Sequence, residues 1–429
     1  MNKHDSERMA GLLVERGYSQ SDSSDDAEII VFNTCTVRKH AEERFFGNLN
    51  NLRSAKKANP NLIIAVGGCV AQAERDRIFK KAPHVDIVFG THNMPNLGHM
   101  VESIESGRKA ICDIVEEIEI MPTAVPSIRE KAYHAWVPII IGCNNFCSYC
   151  IVPHTRGRET SRYIEDVVGE VERLVSGGVI EITLLGQNVN SYGRDIYGRS
   201  WFAKLLIILN EIPGLRRIRF TTSHPKDLAD DTIAAIASGE KICEHIHLPV
   251  QAGSNSILKA MNRKYTKEGY LETVEKIYKA MPGVSLTTDI MVGFPGETEE
   301  DFLHTLDIVE KARYDSAFTF IFSPREGTPA ARMENQVPAP IKSDRFDRLI
   351  KLQNRTSLEK NQELTGKDVE VFIEGASRKN ENVLTGRSRT NKVINFVGSK
   401  DLIHSEALVH VKEAHTWYLS GEIKEVLVR

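Results

Sequence analysis

With 429 residues, 41% hydrophobic and 26% charged, the chain is long enough for about three domains and has the composition of a folded, water-exposed protein. Its formal net charge of -3 excludes a generally basic protein that coats nucleic acid, so any such surface must be a local patch. No apolar run approaches the ~20 residues that cross a bilayer, and residues 1–10 lack the apolar core of a signal peptide. A cytoplasmic, reducing location without membrane contact is therefore expected.

Residues 1–115 alternate helical and strand patterns. A helix is expected at 5–16, with Met9, Leu12 and Leu13 on one side, then a strand at 27–32 and a charged helix at 38–57. A strand at 62–66, a helix near 71–80 and a strand at 85–89 follow. Such alternation predicts a doubly wound parallel α/β sheet. The pattern opens on a helix where a strand is usual, so a first strand is expected upstream of Met1. Residues 116–130, acidic and then proline-bearing, read as a linker.

From 131 to 363 the alternation resumes. Strands are expected at 135–141, 181–185, 217–222, 245–250, 286–292 and 317–322, with helices near 163–177, 202–211, 227–238, 266–280 and 298–312. Six repeats predict a partial (βα)6 barrel with its site at the carboxyl ends of the strands. A charged helix at 341–363 leads to residues 364–429, where short strand-like runs at 369–373, 392–396, 407–411 and 425–428 predict a small β-barrel.

The seven cysteines carry the chemistry. In a reducing compartment clustered thiols point to metal or catalysis. Cys143, Cys147 and Cys150 lie in GCNNFCSYC at 142–150, directly after the first barrel strand. Thiolates so spaced suit an iron–sulfur cluster, and three ligands on four irons leave one iron open. Zinc held by the same thiols and His154 is the competing reading. Cys35 and Cys69 each follow a strand of the first domain, at the sheet edge where such folds bind ligands. They read as metal ligands or as two core cysteines. Cys112 and Cys243 have no partner at metal spacing and are expected to be packing residues.

Polar residues at strand ends are candidates for a cofactor: Gln187, Ser223 and Gln251, together with Tyr149 inside the cysteine loop. Each has a plain structural alternative. The turn VGFPGET at 292–298 reads as structural, with Thr298 as a helix cap. In the last domain Arg378, Lys379, Arg387, Arg389, Lys392 and Lys400 face a single acid, Glu381, across 377–400. Such a run is a phosphate-binding face or only a solvated one. Arg156, Arg158 and Arg162 follow the cysteine loop and could meet RNA or pair with carboxylates.

The cysteine spacing is similar to the radical S-adenosylmethionine signature, and GCNNFCSYCIVPHTRGRE at 142–159 resembles the methylthiotransferase family. LLGQNVN (184–190), RFTTSHP (219–225), HLPVQAGS (247–254), FIFSPREGTPAA (320–331) and GRSRTNKVINF (386–396) extend the resemblance over essentially the whole chain. HLPVQ and GRSRTNK favour the tRNA-acting branch over relatives that modify a ribosomal protein.

The resemblance implies two 4Fe-4S clusters and two S-adenosylmethionine molecules. One cluster would sit on Cys143, Cys147 and Cys150; the other, auxiliary, on Cys35, Cys69 and a third cysteine that normally precedes a Met-Asn pair. This chain begins Met1-Asn2, so that cysteine is expected to lie upstream of it. Ala252, where the family usually has serine, is a lesser departure. The last domain would be a TRAM-type RNA-binding barrel, and Tyr149 would contact adenine. The expected reaction is methylthiolation of C2 of N6-isopentenyladenosine 3′ of the anticodon. Its partners would be the tRNA anticodon loop and a flavodoxin- or ferredoxin-like electron donor, with the enzyme a monomer. Alternatives are action on threonylcarbamoyladenosine or a ribosomal protein, and a zinc-stabilised RNA-binding protein without catalysis.

Overall fold

A computed structural model describes residues 1–35, 39–116, 125–377 and 380–428, apart from the side chains of 39–42. The first domain is a four-stranded parallel sheet, Ile29–Thr34, Ile63–Gly68, Ile87–Phe89 and Ile111–Asp113, paired in that order. Period-two alternation divides its faces. Ile63, Ala65 and Phe89 pack under the helices Asn2–Val14 and Leu97–Glu105, while Ile64, Val66 and Val88 pack under Lys39–Ala58 and the short helices that follow. The expected helix near 71–80 is two, Cys69–Glu74 and Arg77–Lys81, because Arg75 between them takes φ +53°.

The strand Ile111–Asp113 escaped the sequence reading because it is three residues long. It also corrects the expectation for Cys112, which is exposed: it sits on an edge strand with its side chain turned from the core. Cys243 is buried, as a packing residue should be. Within the segment expected to be a linker, Ile128 N–H donates to Glu7 O at 2.9 Å, so 125–130 rides on the first helix. Residues 117–124 of that segment lie outside the described residues.

The central domain has six parallel strands in two runs of three. His134–Pro138, Glu181–Leu185 and Arg217–Thr221 form one run; His245–His247, Ser285–Val292 and Ser316–Ile321 form the other. Backbone bonds across the seam, Ile218 N–H to Lys241 O (2.7 Å) and Ser223 N–H to His247 O (3.2 Å), join them into one curved sheet. Outward residues such as Val137, Ile182, Phe220 and Ile246 form the core beneath the surrounding helices. The fourth strand is shorter than expected because Pro249 has no N–H, and Val250 N–H donates instead to the Thr288 hydroxyl at 2.9 Å. Thr298 caps Glu299–Ala312 through a capping box with Asp301.

The last domain is a closed barrel in the order Asp368–Ser377, Asn380–Ser388, Val393–Val397, Leu419–Val428, Glu406–Ala414. Asn380–Ser388 was not legible as a strand. Leu384 is its one large fully buried apolar residue, and pairing on both sides holds it. This barrel sits against the amino-terminal ends of the central strands. Arg217, 2% exposed, donates to Arg387 O (3.0 Å) and Glu370 (2.9 Å); Arg219 donates to Arg389 O (3.0 Å) and Ser388 O (2.9 Å).

His134 and His245 lie at that junction. Burial pushes the imidazole of His134 down to about 4 and that of His245 to about 3. Their folded pKa values lie below the usual ~6.5, so between these limits the unfolded chain binds more protons. Their contribution is complete above pH ~6.5 and drains away as pH falls toward 4. Melting temperature should therefore fall steadily on acidification across that window, and His134→Gln should flatten the slope. A slope unchanged in the variant would show that this histidine does not carry the effect.

Candidate active site at the carboxyl ends of the strands

Gly142 turns the chain out of the first central strand at φ +80°, and a Cβ there would stand 2.0 Å from Arg158 O. Its N–H donates to Gln187 Oε1 at 2.6 Å, so this residue at the end of the second strand fixes the start of the loop. Ser148 N–H donates to Met261 O (3.0 Å) and its hydroxyl to Ala260 O (2.8 Å), pinning the far side. Cys143, Cys147 and Cys150 hang from this frame. Asn145 Nδ2 points at the Cys143 sulfur (3.6 Å) and Arg263 Nη1 at the Cys147 sulfur (3.4 Å).

Burial raises the Cys143 thiol to about 11 and, with Cys147 beside it, the Cys150 thiol to about 12. A metal must therefore displace protons to bind. Among the described residues no three His, Cys, Asp or Glu side chains are already gathered at single-ion distance, so the fit rests on the donor set. Three soft thiols on one braced loop with N–H donors to their sulfurs suit an iron–sulfur cluster. His154, needed by the zinc alternative, is exposed on the next helix.

The Gly142→Ala variant should lose most of its cluster iron while the fold persists. The added methyl drives the loop off Arg158 O, and positive φ strains any residue but glycine. Iron analysis after anaerobic reconstitution tests this; full iron would mean the loop tolerates the shift.

The neighbouring strand ends carry unspent polarity. Ser223 Oγ and Asn188 Oδ1 are buried without a protein partner, and the Asn188 amide donates to Asp227 (2.8 Å). Orphaned atoms of this kind suit a polar ligand such as the amino-acid or ribose part of S-adenosylmethionine. Gln251 is buried at φ +67°, its backbone tied to Asp289 O and Met291 N–H at 2.8 Å each. Tyr149 is partly buried against a cluster containing Phe294 and Phe322.

Cys35 and Cys69 become neighbours through register. Thr34 pairs with Gly68, and each cysteine is the next residue. The Thr34 hydroxyl donates to Gly67 O (2.6 Å) and accepts from Val70 N–H (3.1 Å), locking the two strand ends together. Arg156 is buried, bonds Asp5 at 2.8 Å and reaches the Cys69 sulfur. Because Arg156 ends the short helix after Cys150, its contacts tie the segment that follows the cysteine loop to the Cys69 end of the first sheet. The buried amino group of Met1 is there too, within the electrostatic reach of Cys35 and Cys69.

Several charges expected to face RNA are spent elsewhere. Arg389 forks onto Glu244 and onto the carbonyls of Glu240 and Ile242, and Lys392 pairs with Asp315 at 2.6 Å. Arg387 bonds Glu374 and Asn391. Docking the last barrel under the central one consumes Arg389 and Lys392, whereas Arg387 is spent inside the last barrel itself. Arg378 and Lys379 lie outside the described residues. Arg162 is buried with Glu170, like Arg156 with Asp5, whereas Arg158 is exposed over the Phe146 ring. Arg263, Asn188 and Asp5 were missed by the sequence reading. Arg263 lies 116 positions from Cys147, and nothing local to it signals a sulfur partner.

A thiol triad at the carboxyl mouth of a six-stranded partial barrel defines the radical S-adenosylmethionine class. Residues 137–309 match the Radical SAM superfamily, 1–90 the Uncharacterized protein family UPF0004 and 362–424 the TRAM domain. Solved structures of similar fold include a radical S-adenosylmethionine methyltransferase, TsrM, from Kitasatospora setae. It is 13% identical, with TM-score 0.56, over 76% of this chain and 71% of that one. A tRNA-2-methylthio-N(6)-dimethylallyladenosine synthase from Thermoanaerobacter pseudethanolicus is 52% identical over 100% of this chain and 91% of its own length. One from Carboxydothermus hydrogenoformans is 51% identical over 98% and 96%. The chain belongs to the tRNA-2-methylthio-N(6)-dimethylallyladenosine synthase family. Membership implies 4Fe-4S clusters and S-adenosylmethionine. No helix among the described residues is long and apolar enough to cross a membrane.

Proposed function

We propose that this chain transfers a methylthio group to C2 of an N6-isopentenylated adenosine 3′ of the anticodon in tRNA. The observation that carries the reading is the braced triad Cys143, Cys147 and Cys150 in a chain half identical to synthases of that name, and the pairing of the Cys35 and Cys69 strand ends supports it. When bound, a four-iron cluster on the triad supplies the electron for reductive cleavage of S-adenosylmethionine, and a second at the rim supplies methylated sulfur. Gln187 and Ser148 hold the triad loop in place, and Arg263 and Asn145 orient N–H groups toward its sulfurs. Ser223 and Asn188 offer unpaired atoms to the amino-acid or ribose groups of the cofactor. Gln251 and Tyr149 are the further candidates for contact with the cofactor. Hydrogen leaves C2 as an atom, so no side-chain general base is assigned.

At the rim, a thiol placed just before Met1 would complete a three-cysteine set with Cys35 and Cys69. The reaction draws electrons from a flavodoxin- or ferredoxin-like donor, acts on the anticodon loop, and is carried out by a monomer in the cytoplasm. Positive charge for RNA is sought at Arg158 and, outside the described residues, at Arg378 and Lys379. The test is anaerobic reconstitution with iron counting, followed by mass analysis of anticodon-loop nucleosides. This chain and one extended upstream by a cysteine-bearing segment are compared. About eight irons and the methylthio nucleoside in the extended chain support the reading. Zinc without iron, or an unmodified nucleoside with both clusters present, would overturn it.

A further inference from the structure

Among the described residues the strand Ser316–Ile321 is the edge of the partial barrel: it pairs with Ser285–Val292 on one side and with no strand on the other. Its sequence continues Ala317-Phe318-Thr319-Phe320-Ile321-Phe322, so three phenylalanines recur at period two and share one face. Ala317 packs toward the helices, which turns the phenylalanine face into the barrel lumen. Phe318 confirms that direction by meeting the His247 ring edge-on at 5.9 Å, and His247 in turn lies 3.4 Å from Asp289. Yet Phe318 remains 56% exposed. At the other end Phe322 is buried in the cluster that includes Tyr149, one residue from Cys150.

The line continues downward. A cavity of about 160 Å³ at the foot of this strand is lined by Ser316, Thr287 and His245 together with Trp417, Tyr418 and Thr416 of the last barrel. Trp417 is 64% exposed, and Tyr418 stacks on His415 at 4.3 Å. From Ser316 to Phe322 an extended strand spans roughly 20 Å. Aromatic side chains thus run from the TRAM barrel, along the lumen face of the edge strand, to the thiol loop. Large exposed rings on a docked domain junction call for a partner, because leaving them in water gains nothing for the fold.

We propose that Trp417 and Phe318, with Phe320 between Phe318 and the thiol loop, form a stacking track for unpaired bases of an RNA loop. The proposal rests on the reading of tRNA as substrate and deepens it. Continuity with the TRAM barrel selects RNA as the occupant, and flat rings accept any base, so the track orients a loop without reading its sequence. It guides the target adenine toward the triad. Its position also accounts for the absence of Arg389 from the binding face: it fastens the barrel that presents Trp417.

The test is equilibrium binding of a prenylated anticodon stem-loop RNA to the reconstituted full chain. Phe318→Ala and Trp417→Ala are expected to weaken Kd by roughly five- to a hundred-fold each. The slope of affinity against salt concentration should be unchanged, since no phosphate contact is lost. Phe318→Tyr should restore binding where Phe318→Leu does not, and RNA-independent formation of 5′-deoxyadenosine should match the parent chain. If the parent binds RNA and both alanine variants stay within twofold of it, the track is wrong while the function stands. Equal rescue by leucine also overturns it, because packing alone would then explain Phe318. A parent chain that binds no RNA overturns the track together with the function beneath it.

Discussion

Cys147→Ala should abolish formation of 5′-deoxyadenosine and remove about four irons per chain from the reconstituted protein. Cys147 is the middle thiol of the loop and is itself buried. Its loss leaves Cys143 and Cys150 to hold a cluster with two ligands. The Arg263 guanidinium beside it keeps Pro249 O and the Tyr265 hydroxyl as partners. Cys147→Ser, with a harder oxygen donor, should rescue little iron. The apo variant should melt close to the apo parent, because alanine keeps the buried Cβ and Arg263 retains Pro249 O and the Tyr265 hydroxyl. Iron content, visible absorption and product analysis read the outcome. Undiminished cleavage of S-adenosylmethionine would falsify the assignment of the triad.

Arg217→Ala is expected to destabilise the junction of the second and third domains by about 3–5 kcal/mol, the usual cost of breaking a buried ionic set from one side. Arg217 stands inside the third barrel strand and donates to Glu370 and to Arg387 O, with Glu406 at 3.3 Å. Alanine leaves Glu406, itself largely buried, with Arg216 only at 3.9 Å. Arg217→Lys should recover little, since one ammonium cannot meet three acceptors in a forked arrangement. The melting temperature should drop by roughly 10 °C. RNA modification should fall with it while basal cleavage of S-adenosylmethionine persists, because the thiol loop lies at the opposite end of the strands. Loss of both activities together would show that the domain junction also supports the loop.

Much of this protein was legible before its structure. Five strand–helix repeats after the first cysteine strand have enough apolar periodicity to stand out, and 181–185 and 202–211 fall within a residue of Glu181–Leu185 and Phe202–Asn210. Short elements and polar strands did not stand out. Ile111–Asp113 is too brief to show a period, and Asn380–Ser388 is a strand because its neighbours supply hydrogen bonds. The cysteine triad could be read locally because a loop of nine residues contains all three ligands.

The charges mislead for a related reason. Arg387, Arg389 and Lys392 look in sequence like a solvent-facing basic run, and their acids, Glu374, Glu244 and Asp315, lie far away in the chain or on another strand. What the sequence determined by itself was whatever depends on near neighbours: the alternation of elements, the thiol loop and the glycine that starts it. Only the tertiary structure decided which ends of strands meet. Register set Cys35 beside Cys69, a residue 116 positions away gave Cys147 its N–H donor, and docking of the last barrel turned a basic run into a fastening. Contacts between distant residues exist only once burial has brought their elements together, and no local pattern of side chains specifies that partner.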